Sequence, residues 1–275
     1  MISVLILTHQ EERNLPRCLE ALAWCDDIVV LDSFSTDATT DVARRYGARV
    51  LQRPFDSFAG QRNHALAHGG LRHEWVLHLD ADEVVTPELR DEMLAVVGTT
   101  SRHAFWVTSK LIFRDRWIRH AGMYPTYQVR LGRRDQLHFT QVGHGQRETL
   151  PLEQIGRLAN PFLHFSFSKG VAEWVEKHNR YSTAEALHTV HARRPGHRAS
   201  ISALFKGDAI ARRRAAKVLV ARIPGRAIFR FVYLYFLKLG FLDGAAGYAY
   251  CRLVSMYELM IELKIRELEL EGGPP

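Results

Sequence analysis

The sequence predicts an α/β protein: a mostly parallel sheet flanked by helices, followed by a helical extension. Three observations point there. Over roughly the first hundred residues, short continuous apolar runs alternate with stretches whose apolar residues recur at helical spacing. The apolar runs lack the polar alternation of a half-exposed strand, so they read as strands covered on both faces, as in a parallel sheet between helices. Past residue 168 the long segments return to helical patterning, and the chain closes on an amphipathic helix.

In order along the chain, residues 2–7 form the first buried strand. Residues 11–24 form a helix with Leu15, Leu19 and Leu22 along one stripe. Residues 27–31 are the second strand, and 37–46 a helix with Ser35 or Thr36 as its cap. Residues 48–51 are the third strand, 59–67 a helix, and 75–79 the fourth strand, running into Asp80. Thr86-Pro87 opens another helix, with proline in the first turn and Glu88, Asp91 and Glu92 near its amino end. Residues 104–139 turn strand-like and aromatic, as antiparallel additions to the sheet. Residues 168–193 are helical and stop before Pro195-Gly196. Residues 228–242 crowd Phe229, Phe231, Tyr233, Tyr235, Phe236 and Phe241 together, and Gly240, Gly244 and Gly247 interrupt that stretch. Residues 252–269 are the final amphipathic helix.

The 275 residues amount to about 1.8 average domains. With 47% hydrophobic and 24% charged residues, disorder and fibrous repeats are excluded. Cys18, Cys25 and Cys251 form no CxxC pair, which excludes a zinc knuckle and a disulfide scaffold and fits a reducing compartment. The chain opens on an apolar strand, so no signal peptide is expected. The best candidate for a membrane span, residues 227–242, is cut by Arg230 and Lys238.

In a parallel sheet, ligands bind outside the carboxyl ends of the strands. Those ends read Thr8-His9-Gln10-Glu11-Glu12, Asp32-Ser33, Gln52-Arg53-Pro54 and Asp80-Ala81-Asp82-Glu83. Asp80 and Asp82, one residue apart after a strand, are hard oxygen ligands suited to Mg²⁺ or Mn²⁺ with positions left for phosphate oxygens; the alternative is a cap for the next helix. Asp32, ending the second strand, is placed to bond a nucleoside, or else to close a turn with Ser33–Asp37. The first loop has no GxGxxG, which disfavours a dinucleotide cofactor, and no GxxxxGK[ST] occurs, which excludes a P-loop. Fourteen histidines form no HExxH.

These motifs, taken together, resemble a known family. Thr8-x-x-Glu11-Glu12-x-Asn14, then Asp32-Ser33-Phe34-Ser35-Thr36-Asp37-Ala38-Thr39, Gln61-Arg62-Asn63 and Asp80-Ala81-Asp82-Glu83 closely resemble inverting glycosyltransferases of family 2. The later stretches Gln128-Val129-Arg130-Leu131, Gly143-His144-Gly145-Gln146-Arg147-Glu148, His164-Phe165-Ser166, Lys177-His178-Asn179-Arg180-Tyr181 and Gly240-Phe241-Leu242-Asp243-Gly244 look like the bacterial subgroup containing lipopolysaccharide core β-glucosyltransferases. The resemblance implies a GT-A (Rossmann-like) fold and a nucleotide-diphosphate sugar donor. Thr8 and Glu11 would then line the base and ribose pocket, and Asp32 would bond the base or ribose. Arg62 would contact the nucleotide or its phosphates, or else be an exposed helix arginine. Asp80 would approach the ribose or metal, and Asp82 would ligate the metal. Where the family often has a second acid beside Asp32, this chain has Ser33.

Inverting transfer needs one group to take the acceptor's hydroxyl proton. Glu148 and His144 are the candidates, with Glu148 favoured; a salt bridge from Glu148 to Arg147 is the structural alternative. His164, Lys177, His178 and Tyr181 stand as further candidates for acceptor or diphosphate contact, with helix packing as the alternative. Trp106 and Trp117 could wall a sugar site or fill core.

The net charge of +7 is local. Residues 199–238 hold nine basic residues and one acid, whereas the rest of the chain holds 28 basic and 29 acidic residues. With the aromatic run beside it, that block reads as a footprint for an anionic membrane surface rather than for nucleic acid, since no nucleic-acid recognition motif accompanies it. A solvated helical cap is the plainer alternative. The expected organisation is a GT-A domain over residues 1–198 and a basic, aromatic helical extension over 199–275, cytoplasmic and peripheral on the inner face of the plasma membrane. The expected acceptor is a lipid-linked or lipopolysaccharide-type glycan. The rival acceptor is polyprenyl phosphate, and the rival of another class is a non-catalytic sugar-nucleotide or membrane-binding protein.

Overall fold

In the computed structural model, which describes residues 1–142, 145–192 and 225–270, the apolar runs become the middle of a sheet. β1 (Ile2–Thr8), β2 (Ile28–Asp32), β3 (Arg49–Gln52) and β4 (Trp75–Asp80) are parallel and ordered β3-β2-β1-β4. Interior strands covered on both faces need apolar side chains throughout, and β1, β2 and β4 are buried along most of their length.

The remaining strands are β5 (Glu83–Val84), β6 (Ala104–Phe113), β7 (Arg116–Trp117), β8 (Tyr127–Arg133), β9 (Phe139–Val142), β10 (Gly145–Glu148), β11 (Ile155–Arg157) and β12 (Phe162–His164). Past β4 the sheet continues β8-β6-β12-β5, with β7 and β11 also on β6. β8 runs antiparallel to β4 and β6, as the aromatic segment predicts. β9 and β10 form a separate antiparallel hairpin. Helices α1 (Leu15–Glu20), α2 (Thr39–Arg45), α3 (Phe58–His68) and α4 (Pro87–Val97) flank the sheet, which is the mostly parallel, helix-covered GT-A arrangement expected. Leu15, Leu19 and Leu22 are buried against Ile2, Val4 and Ile6.

The chain divides into two compact units: Met1–Arg119 with Met123–Gly170, and His120–Gly122 with the residues from Val171 on. In the second unit α5 (Val171–Ala192) packs on a long helix through Ala186, Val190, Ile261 and Ile265. α6 (Arg226–Val232) runs into a π-helical turn, Tyr233–Leu237, and a 3₁₀ turn, Gly240–Asp243, before that long helix, α7 (Gly244–Leu270), begins. Among the described residues, no helix is long and apolar enough to cross a membrane. His144, the boundary expected at 198/199, and Lys206, Arg212, Arg213, Arg214, Lys217 and Arg222 of the basic block lie outside the described residues.

Several boundaries differ from expectation, each for a local reason. The first helix starts at Leu15, and the backbone N–H groups of Gln10, Glu11 and Glu12 ahead of it tie that loop to Ser35 Oγ, Thr39 Oγ1 and Asp37 Oδ2. α7 starts at Gly244 and runs through Gly247, where a Cβ would strike the Gly240 carbonyl; that glycine permits a close approach rather than ending a helix.

Candidate active site

The carboxyl edge of the parallel strands gathers the predicted residues. The register pairs Thr8 with Asp32, Asp32 with Gln52, and Leu7 with Asp80, so four strand ends finish on one line. Strand order reverses between β1 and β4, and ligands of open α/β sheets enter the crevice at such a point.

On the β1 side, the first two motifs hold each other. Besides the three N–H groups above, the Gln10 carbonyl Oε1 accepts from the N–H groups of Thr36 and Asp37, each at 3.1 Å, and Glu12 Oε2 accepts from Ala38 N–H at 3.1 Å. Asp32 is fully buried and saturated. Its carboxylate accepts from the Thr8 hydroxyl (3.0 Å), the Ser35 N–H (2.8 Å), the Ser35 hydroxyl (2.5 Å) and Gln52 Nε2 (3.1 Å). The expectation that Asp32 bonds a base or ribose therefore meets a carboxylate already occupied by protein donors, as in the turn-closing alternative. Thr8 is buried beside it. Glu11 is partly buried: Lys169 Nζ and Asn14 Nδ2 both donate to it at 2.7 Å. Burial, aided by the nearby charge of Asp82, raises its pKa above the ordinary value despite Lys169.

Gln61-Arg62-Asn63 on α3 divides into three tasks. Gln61 Nε2 donates to the Pro54 carbonyl at 2.8 Å and ties down the entry loop. Asn63 clamps the backbone of Phe139 in both directions, donating at 2.8 Å and accepting at 3.0 Å, which fixes the β9–β10 hairpin on α3. Arg62 lies between them, 1% exposed, with Nη2 donating to Asp80 Oδ1 at 2.7 Å. It is therefore not the exposed helix arginine of the alternative reading. Burial lowers its pKa to about 10.

Asp80 sits between two arginines. Arg130 Nη2, on β8, donates to Asp80 Oδ2 at 2.9 Å and to Glu83 Oε1 at 2.5 Å, and Glu83 Oε2 accepts the Asp80 N–H at 2.9 Å. Burial opposes ionisation of Asp80, but Arg130 and Arg62 overcome it and hold the carboxyl well below the usual range. For Glu83, only 1% exposed, burial prevails and lifts the pKa to about 7. Arg62 Nε and Nη1 and Arg130 Nε are buried without a hydrogen-bond partner, as are both ring nitrogens of His78 on β4. Burial and the two arginines push His78 well below its ordinary pKa, so it stays neutral.

Asp82 lies within the field of Glu83 and Arg130. Its Oδ2 lies 3.3 Å from His164 Nε2, and β12 sets His164 opposite Glu83. Burial disfavours His164 protonation, but Asp82, with Glu83 and Asp80 behind it, raises the pKa. Arg17 stacks on Phe165 at 3.4 Å with Asp82 in its field. Among the described residues, no group of three or more His, Cys, Asp or Glu side chains could hold a metal ion. Asp82 and His164 do fit as a partial set, one carboxylate oxygen and one imidazole nitrogen.

Glu148 ends β10, half-buried and opposite Phe139, on the hairpin Asn63 clamps. No described contact joins it to Asp80 or Asp82. His178 and Tyr181 belong to the second unit, where His178 stacks on Trp174 at 3.6 Å and meets Tyr257 edge-on. Trp117 lies under Lys110 at 4.8 Å, and Trp106 is half-buried on β6. Arg130 and Glu83 form the part of the site that residue-by-residue reading passed over. Their advance signal was membership of the stretches Asp80-Ala81-Asp82-Glu83 and Gln128-Val129-Arg130-Leu131, in which neither had an assigned role.

Residues 3–146 match the family model described as Glycosyl transferase family 2. An uncharacterized glycosyltransferase of Rickettsia typhi is 23% identical over 282 residues, covering 98% of this chain and 88% of that one. The lipopolysaccharide core biosynthesis glycosyltransferase LpsC of Rhizobium meliloti is 27% identical over 196 residues, covering 67% of this chain and 70% of that one. Among solved structures, S. aureus TarS 1-349 in complex with UDP-GlcNAc aligns at 16% identity and a TM-score of 0.49, over 99% of this chain and 92% of that one.

Proposed function

The chain belongs to glycosyl transferase family 2, and on that premise we propose that it transfers a sugar, with inversion, from a nucleotide-diphosphate sugar to a lipid-linked or lipopolysaccharide-type glycan. The main support is the carboxyl edge of the sheet, where the β1 and β4 loops flank the reversal of strand order, Asp82 lies 3.3 Å from His164 and its charge acts on Glu11. The name of the LpsC relative supports the acceptor class. The work takes place in the cytoplasm, peripheral to the inner face of the plasma membrane.

In this reading Asp82 and His164 would hold Mg²⁺ or Mn²⁺, which would supply positive charge for the departing nucleoside diphosphate. Asp80, Glu83, Arg62 and Arg130 form a rigid floor that fixes the loop carrying Asp82. Thr8 and Glu11 shape the nucleotide side of the crevice. The acceptor hydroxyl oxygen bonds to the anomeric carbon as the bond to the diphosphate breaks, and its proton passes to the Glu148 carboxylate.

Two measurements test this. Nucleotide sugars with Mn²⁺ raise the melting midpoint in proportion to affinity, and a screen in which no donor does so removes the donor site. Glu148→Gln lowers transfer to a hydroxyl acceptor by about 10²–10⁴-fold while leaving donor binding intact. Transfer that survives the substitution points instead to polyprenyl phosphate, already an anion and in little need of a base.

A further inference from the structure

Among the described residues, the second unit carries a set of large apolar side chains that stand exposed. Ile228, Val232 and Phe236 recur at four-residue spacing along α6 and the π-helical turn and are exposed on one side. The turn that follows raises Leu237, 71% exposed, and Leu242, 58% exposed, with Phe241 also outward. A monomeric soluble protein does not ordinarily display so many large apolar side chains together.

The turn presenting them is built rather than frayed. Leu239 sits at φ 58°, a left-handed conformation that a leucine adopts only when its surroundings impose it. Those surroundings are tight. A Cβ on Gly240 would meet the Leu234 carbonyl at 2.7 Å and Cys251 Sγ at 3.1 Å. Asp243 accepts from the N–H groups of His120 (3.0 Å) and Ala121 (2.8 Å), which pins the turn from beneath. Strain and close packing thus hold leucines outward, the opposite of what stability alone selects.

Charge decides what covers this surface. From Gly225 to Met256 the sequence holds four basic residues, Arg226 (paired with Glu258 at 2.6 Å), Arg230, Lys238 and Arg252, and one acid, Asp243, already engaged by the two N–H groups. Lys238 and Arg252 are exposed and lack acidic partners among the described residues; each leans over a tyrosine, Lys238 Nζ 5.7 Å from the Tyr233 ring and the Arg252 guanidinium 5.8 Å from Tyr248. Apolar tips with aromatic rings and cations beside them match the layering of a bilayer surface, where acyl chains, headgroups and phosphates follow one another.

We infer that the Leu237–Leu242 turn is a rigid wedge that inserts into an anionic bilayer, with Lys238 and Arg252 seated on lipid phosphates. This rests on the peripheral-membrane part of the proposed function and deepens it. Attachment comes from inserted apolar side chains, not from electrostatic attraction alone.

The test is co-sedimentation of the full chain with vesicles of phosphatidylethanolamine and phosphatidylglycerol, and with phosphatidylcholine alone. Both are repeated at about 1 M salt, where screening acts within about 3 Å. The wedge predicts binding to the anionic vesicles that salt weakens but does not abolish, and weaker, salt-insensitive binding to phosphatidylcholine. The double substitution Leu237→Glu/Leu242→Glu lowers partitioning about a hundredfold, since each inserted leucine contributes about a factor of ten or more. Both positions are exposed, so the melting midpoint and nucleoside diphosphate release from donor stay unchanged. An environment-sensitive fluorophore on Leu242→Cys shifts to the blue on vesicles, whereas one placed at exposed Leu94→Cys does not. Binding abolished by salt, or unaffected by the double substitution, overturns the wedge. A dimer in solution that the double substitution dissociates, with vesicle binding unchanged, assigns the surface to a second copy. No vesicle binding at all removes the membrane attachment, and donor turnover reports separately whether the transferase reading survives.

Discussion

The two ends of the same parallel sheet both hold an acid among arginines, and they are built in opposite ways. At the amino end Asp27 is buried and satisfied: it accepts from the Ser3 hydroxyl, the Arg72 N–H at 2.7 Å and Arg49 Nη2 at 2.6 Å. Arg49 and Arg72 are half exposed there, so their spare N–H groups reach water. At the carboxyl end it is the arginines, Arg62 and Arg130, that are buried, and three of their nitrogens have no partner. A buried unsatisfied group costs about 1–3 kcal/mol, so each of these nitrogens weighs against the stability of the carboxyl end. At the amino end half-exposed arginines saturate a buried acid, Asp27, whereas at the carboxyl end buried arginines with unpartnered N–H groups hold Asp80.

That contrast is sharpest at Asp82. Asp82→Ala lowers metal-dependent release of nucleoside diphosphate by about a thousandfold while moving the melting midpoint by no more than a few degrees. An active Asp82→Ala enzyme would make the carboxyl end as purely structural as the amino end. Arg130→Met comes next and acts through stability. It leaves Asp80 and Glu83 without their shared guanidinium, a loss of about 3–5 kcal/mol, which lowers the midpoint by roughly 10 °C. A midpoint within a degree or two of the wild type would mean that Arg130 does not hold the floor of the site.

The sequence shows the two ends unequally. The strands and their carboxyl ends were legible because a strand covered on both faces must be apolar, so the first polar residue after Leu7, Leu31 and Leu79 marks the edge. The DxD and Asp32 followed from position alone. What stayed hidden was partnership across distance. Arg62, on a helix with little amphipathic contrast, looks like a surface residue until Asp80, eighteen positions later, is folded against it. Arg130 and Glu83 meet across forty-seven positions, through the antiparallel placement of β8, which composition does not encode. In the second unit, Gly247 reads as a breaker because its use, the approach of the Gly240 carbonyl, exists only after packing.

At the amino end the expected effect is smaller and depends on pH. Burial by itself raises the Asp27 carboxyl, but the Ser3 hydroxyl, the Arg72 N–H and Arg49 overcome it and hold the pKa below the ordinary carboxylate value. The folded protein therefore keeps Asp27 ionised where the unfolded chain binds a proton. That stability is complete above the unfolded value, near pH 4, and is lost as pH falls below it. Asp27→Asn lowers the neutral-pH midpoint by the equivalent of about 1–3 kcal/mol and flattens its decline below about pH 5, with turnover at neutral pH unchanged. Loss of turnover at an unchanged midpoint would erase the distinction between the ends.

The smallest effect is expected at Gln52, which decides to which class Asp32 belongs. Asp32 stands at the carboxyl end but is saturated like Asp27, and Gln52 supplies one of its four donors. If the Asp32 carboxylate serves only to lock the Gln10–Thr39 loops, Gln52→Leu removes one bond of four. Stability then falls by about 1 kcal/mol, or about 2–4 °C in the midpoint, and the donor KM does not change. If the carboxylate also reads the base, freeing one oxygen from Gln52 changes what it can accept from a nucleotide. Donor KM then shifts between nucleotides of different bases, and the midpoint hardly moves. Saturation of all four positions favours the first result, and comparing KM for uridine and guanosine diphosphate sugars in Gln52→Leu separates the two.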